Sequence, residues 1–112
     1  MQSYLNEKYF ISRRTAKNNF RQSIFKAWDY KCAYCGASAN TLDHVHPKSK
    51  GGSNLSFNLV PCCLHCNLAK GSTELKTWFR EQDFYSPKRE AKITCWHQRL
   101  FIGADGSEYK TS

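Results

Sequence analysis

The 112-residue sequence predicts a small α+β fold, two short strands and a helix gathered at one metal clasp, with further helices before and after. Three observations predict it. Two Cys-x-x-Cys pairs, Cys32/Cys35 and Cys63/Cys66, bracket residues 36–62, and four thiolates so spaced suit one tetrahedral zinc ion. Inside the bracket, Thr41–Val45 and Leu55–Pro61 are short apolar runs, each stopped by a proline, as short strands are. Outside it, both flanks carry apolar residues at helical spacing.

The size fits one domain, residues 1–112, and a chain this small gains from a metal staple because its core is modest. The charge is +8, with a pI near 9.3. Residues 1–31 hold seven Lys/Arg against Glu7 and Asp29, so most of the excess sits at the start of the chain. Such a surface attracts polyanions, nucleic acid foremost. No run of about 18 apolar residues exists, which excludes a membrane-spanning helix. The start MQSYLNEKYFISRR has no apolar secretion-signal core. Six cysteines with two Cys-x-x-Cys pairs therefore read as a zinc site in a reducing cytoplasm rather than three disulfides.

In order along the chain, residues 1–12 are mixed and aromatic without a period. A helix is expected over about 15–28, where Ala16, Phe20, Ile24 and Ala27 make one apolar stripe. Arg14, Lys17 and Arg21 share a neighbouring face, suited to phosphate or simply to solvent. Cys32–Gly36 is a tight knuckle, with Gly36 letting the backbone reverse. Residues 41–45 form the first strand, and 48–54 (KSKGGSN) a basic loop with Lys48 and Lys50 facing solvent or phosphate. The second extended segment, 55–61, carries Asn58. Residues 63–70 open a helix closed by Gly71. Another helix, about 73–82, is capped by Ser72 or Thr73 and buries Leu75, Trp78 and Phe79. Ser86-Pro87 starts the last, about 87–101, with Ile93, Trp96 and Leu100 on one face. The tail GADGSEYKTS reads as a turn with a frayed end.

Cys63 matches the spacing of the first pair, but Cys62 or His65 could take its place at zinc, and Cys95 reads as a buried apolar thiol. Asp43 and His44 are strand neighbours, so their side chains converge only at a bulge or a strand end. One Asp carboxylate and one Asn carbonyl suit a hard divalent ion such as Mg²⁺ or Mn²⁺, which prefers few protein oxygens and binds phosphate. A histidine beside it can deprotonate water. Asn58 suits the backbone of a turn, His46 a structural or surface place next to Pro47 or else a phosphate or the metal, and Lys70 a phosphate backbone or solvent. His97 reads as packed or exposed rather than functional.

The run C-x-x-C, L-D-H-V-H-P-x-S-x-G-G, N-L-V-P, C-x-x-C-N-x-x-K-G, from Cys32 to Gly71, resembles the HNH endonucleases, also called ββα-metal or His-Me finger nucleases. The position of the final His is Asn67 here, a variant that family uses. The resemblance implies a ββα-metal core over about 32–71. It implies His44 as general base, Asp43 and Asn67 as ligands of one Mg-type ion, and Asn58 as the brace of the loop that orients His44. The four cysteines would hold a structural zinc that does not touch substrate. The implied reaction is hydrolysis of DNA to 3′-hydroxyl and 5′-phosphate ends, with nicking or weak sequence specificity. Oligomeric state stays open: a monomer nicks one strand, a dimer can cut both, and partner proteins can supply specificity. The implied setting is the cytoplasm of a bacterial or phage-infected cell. The alternative is a non-catalytic zinc module that binds nucleic acid, which explains the thiols and charge but not the offsets of Asp43, His44, Asn58 and Asn67.

Overall fold

A computed structural model of the chain describes residues 12–99. The expectations for residues 1–11, for Leu100 and for the tail at 103–112 lie outside them. Helix α1 (Arg13–Ala27) starts where Ser12 accepts a hydrogen bond from the Thr15 amide. The predicted stripe does not hold along it. Ala16, Phe20 and Ala27 are exposed, and only Ile24, Phe25 and the following Trp28 are buried. The helix runs past the core, so only its last turn has anything described to pack on. Asp29 and Tyr30 then turn the chain through positive φ into the knuckle.

Strands β1 (Thr41–His44) and β2 (Leu59–Cys62) form one antiparallel pair, with Thr41 opposite Cys62 and His44 opposite Leu59. The second extended segment is shorter than predicted, because Ser56–Asn58 forms a 3-10 turn. Asn58 therefore sits just before β2 rather than on it. Helix α2 (Leu64–Lys70) begins with Cys63 as cap, its sulfur accepting from the Cys66 amide. Helix α3 is only Leu75–Phe79, not 73–82, and its cap position is Glu74 rather than Ser72 or Thr73. The Gln82 side chain donates to the Trp78 carbonyl at 2.9 Å and so supplies a partner that a continuing helix would have offered. Helix α4 (Pro87–His97) starts as predicted, with Ser86 accepting from the Arg89 amide.

The core lies between the sheet, the knuckle and helices α3 and α4. Tyr34 packs edge-on against Trp78 and Phe79, and Phe79 against Tyr85. Trp28 meets Trp96 edge to face. The Trp96 N–H donates to the carbonyls of Ser56 and Leu59 at 3.0 and 2.8 Å, fastening α4 to the turn that carries Asn58. No described helix is long and apolar enough to cross a membrane. Cys95 is exposed, contrary to expectation, because it faces away from Ile93 on α4.

Candidate metal clasp and hydrolytic cavity

The clasp follows from two short loops. In the knuckle, the Gly36 amide returns to the Cys32 carbonyl at 3.0 Å, and Gly36 has φ +84°. The Ala33 amide bonds the Pro61 carbonyl at 2.9 Å, so the knuckle is laid against β2 and faces the cap of α2. The sulfurs of Cys32, Cys35, Cys63 and Cys66 consequently lie within 4.8 Å of one another. The Cys35–Cys63 sulfur separation is 3.7 Å. A tetrahedron of sulfurs about 2.3 Å from zinc has edges of roughly 3.8 Å, so the donor set suits that ion.

Electrostatics agree. Hydrogen bonding from Cys62 draws the Cys32 thiol down to about 4, while the same contact and burial push Cys62 up. Burial pushes Cys35 and Cys66 up, and charge on Cys32 adds to both shifts. Thiols that cannot all ionise together form four thiolates only around a cation. Neither alternative for the fourth donor belongs to this group of sulfurs. The Cys62 sulfur is buried and donates to the Cys63 carbonyl, and His65 is exposed on α2 outside the group.

The second site is an open cavity of about 640 Å³, lined by Asp43, His44, Asn67, Lys48, Ser49 and Gly71 among others. The strand neighbours Asp43 and His44 both reach it, with no bulge, because His44 is the last residue of β1. Asp43 is nearly buried. Its Oδ2 accepts from the Tyr34 hydroxyl and lies 3.0 Å from Lys70 Nζ, in a pair whose side chains are 7% and 0% exposed. Oδ1 has no partner among the described residues. Burial, with the charge of Asp43 second, pushes the Tyr34 hydroxyl well up, so it stays a donor.

Asn67 is held the same way: Nδ2 donates to Thr41 Oγ1 at 3.0 Å and the Leu42 carbonyl at 3.3 Å, and its side-chain oxygen has no partner among the described residues. His44 Nε2 lies 2.8 Å from Asn54 Oδ1. Asn58 ties the intervening loop: its Oδ1 accepts from the His46 amide, and Nδ2 donates to the carbonyls of His46 and Ser53. Gly52 belongs to this knot, since a Cβ there would sit 1.8 Å from the His46 carbonyl oxygen.

The basic residues divide. Lys17 and Arg21 of α1 line a second groove, about 410 Å³, that also contains His44 and Asn54. Arg14 lies with them along the exposed helix face. Lys48 lines the Asp43/His44 cavity, and Lys50 is exposed. Lys70 does not fit the expectation of a DNA contact. Its ammonium is fully buried between the Asp43 carboxylate and the His44 carbonyl, 2.9 Å away. An uncompensated Asp43 drew it inward, a pairing that no linear pattern announces. His46 turns to Glu74 at 3.0 Å and lines a different cavity, and His97 Nδ1 meets the Phe57 carbonyl at 3.3 Å. Tyr34 and Asn54 had not been singled out from the sequence. The only signals were a tyrosine inside the knuckle and an asparagine ending the Gly-Gly-Ser loop.

Comparisons with known proteins point one way. Residues 32–73 match the family model of the HNH endonucleases. A CRISPR-associated endonuclease Cas9 of Corynebacterium diphtheriae is 40% identical over 80 residues, covering 66% of this chain and 7% of that protein. An SPbeta prophage-derived putative HNH endonuclease, YoqL, of Bacillus subtilis is 29% identical over 105 residues, 77% of this chain and 44% of the relative. The chain thus spans less than half of either relative. The crystal structure of the Type II-C Cas9 enzyme from Actinomyces naeslundii superposes with a TM-score of 0.56 at 17% identity, covering 92% of this chain and 16% of that one. That likeness is one of fold.

Proposed function

We propose that the HNH domain carried by residues 32–73 makes this chain a metal-dependent DNA endonuclease, with His44 as general base. The observation that carries this reading is the single cavity shared by Asp43, His44 and Asn67. Two unengaged oxygens, one from Asp43 and one from Asn67, are the donors for a hard divalent ion, Mg²⁺ or Mn²⁺. Bound there, such an ion neutralises charge developing on the scissile phosphate and on the leaving 3′ oxygen.

The rest is the work of the chain. His44, its Nε2 proton donated to Asn54, keeps Nδ1 as the base that takes a proton from water. Asn58 holds the loop after His44 and so fixes where the imidazole stands. Tyr34 and Lys70 grip one oxygen of Asp43 and leave the other to the ion, while Lys70 also holds the backbone of His44. Lys17, Arg21 and Lys48 receive the DNA backbone on either side of His44. The products are 3′-hydroxyl and 5′-phosphate ends. Zinc in the four-cysteine clasp is structural: it positions α2, and with it Asn67, against β1.

The test is plasmid DNA incubated with the protein and Mg²⁺ or Mn²⁺, beside a chelator control and His44→Ala. Metal-dependent nicked or linear product, with a rate at least ~100-fold lower in the variant at unchanged fold and zinc content, supports the reading. Cleavage unaffected by the substitution removes His44 from the mechanism. DNA binding without cleavage in the native chain leaves a zinc module that only binds nucleic acid.

A further inference from the structure

A third cavity, about 210 Å³, lies where the end of α1, the knuckle and α4 meet, and it shares no lining residue with the hydrolytic cavity. Lys31, Arg89 and Lys92 converge on it with Asp29 as the single carboxylate. None of the three cations makes a salt bridge among the described residues. Two of them are seated rather than loose. Lys92 Nζ stands over the Trp28 ring, 4.4 Å from its centroid. The Arg89 guanidinium lies so close on Gly36 that a Cβ there would be 2.2 Å from Nη2, so the knuckle glycine makes its seat. Trp28, 4% exposed, lines the same cavity, and its indole N–H, closed off from solvent, has no acceptor among the described residues.

Three cations gathered about one carboxylate carry an excess of like charge, which raises the energy of the folded chain. An oxyanion relieves that repulsion. A planar guanidinium flanked by two ammonium groups suits the oxygens of a phosphate, and preset side chains lose little freedom on binding it.

We propose that this cavity is a second phosphate-binding site, which takes a backbone phosphate of the DNA away from the position where it is cut. The phosphate chemistry stands on the cavity, and DNA as its source rests on the nuclease reading. The rival role for the same cations is to balance the thiolate charge of the clasp, since Cys32 lines the cavity too.

The experiment uses the full zinc-loaded chain carrying His44→Ala, with a fluorescein-labelled DNA duplex followed by anisotropy over a range of salt. Arg89→Gln with Lys92→Gln should make the plot of log Kd against log salt shallower by about 1–2 and weaken binding ~3–10-fold at moderate salt. Lys31→Gln, at an exposed position, should move the slope the same way by less. The Trp28 indole N–H resonance should shift on adding the duplex, and only at far higher concentration on adding inorganic phosphate. Unchanged slope and affinity overturn the proposal. So does an unchanged slope with faster loss of zinc to a chelator, which gives the cations to the clasp, or an indole shift with inorganic phosphate that the duplex does not produce. A chain that binds with the expected slope yet cleaves nothing defeats the nuclease reading and leaves this site standing.

Discussion

Four sulfurs within 4.8 Å of one another make the clasp, whereas the candidate active-site cavity gathers a carboxylate, an amide and an imidazole that make no bond to each other. The clasp groups are brought together by the knuckle and the cap of α2, in a set that suits one metal ion. The cavity groups are held from behind, each by its own partner: Tyr34 and Lys70 for Asp43, Thr41 and Leu42 for Asn67, Asn54 for His44. A group of soft donors is thus specified by spacing alone, and the proposed hard-ion site by a surrounding shell that spacing does not reveal.

Removing a clasp ligand is the strongest way to break this contrast. Cys63→Ser, or exhaustive chelation of zinc, should unfold the ββα core, since structural zinc contributes on the order of 10 kcal/mol in small domains. Circular dichroism and metal analysis check this, and Cys62→Ser or His65→Ala should keep the zinc. Breaking the shell instead should cost less and act on the other site. Lys70→Met leaves the Asp43 carboxylate buried without its cation, an expected loss of about 3–5 kcal/mol in thermal or urea unfolding, with zinc content preserved. Tyr34→Phe is milder, about 1–2 kcal/mol, and should raise the Mg²⁺ concentration needed for half-maximal cleavage.

The smallest effect belongs to a pair outside both sites. The Arg80 guanidinium, with help from the Tyr85 hydroxyl, holds the Glu90 carboxyl down at about 2. A depressed carboxyl stabilises the fold fully above its unfolded value, near 4.3, and that stabilisation drains away as pH falls toward 2. Glu90→Gln should therefore flatten the acid limb of stability between about pH 4.5 and 2 and change little at neutral pH. An acid limb unchanged in the variant would remove Glu90 from it.

The contrast also explains what could be read from the chain. Cys32, Cys35, Cys63 and Cys66 carry their geometry in their spacing, and Ser86-Pro87 announces α4 through a cap that involves only neighbouring backbone. The cavity residues Asp43, His44 and Asn67 were legible as a pattern of offsets. That both strand neighbours reach one cavity depends on β1 ending at His44, which pairing with β2 decides. Lys70 looked like a surface cation because burial of a charge depends on a carboxylate 27 positions earlier. The stripe on α1 misled for the opposite reason: periodicity promises a packing surface, and only the last turn found one among the described residues.

The Trp96 indole reaches back 40 positions to the carbonyl of Ser56, and through that turn to the loop Asn58 ties. The stretch 32–73 therefore holds all the proposed metal donors but not its own mooring. Excised by itself, it should keep its ions and lose the alignment of the imidazole, behaving as a competent chelator and a poor scissor.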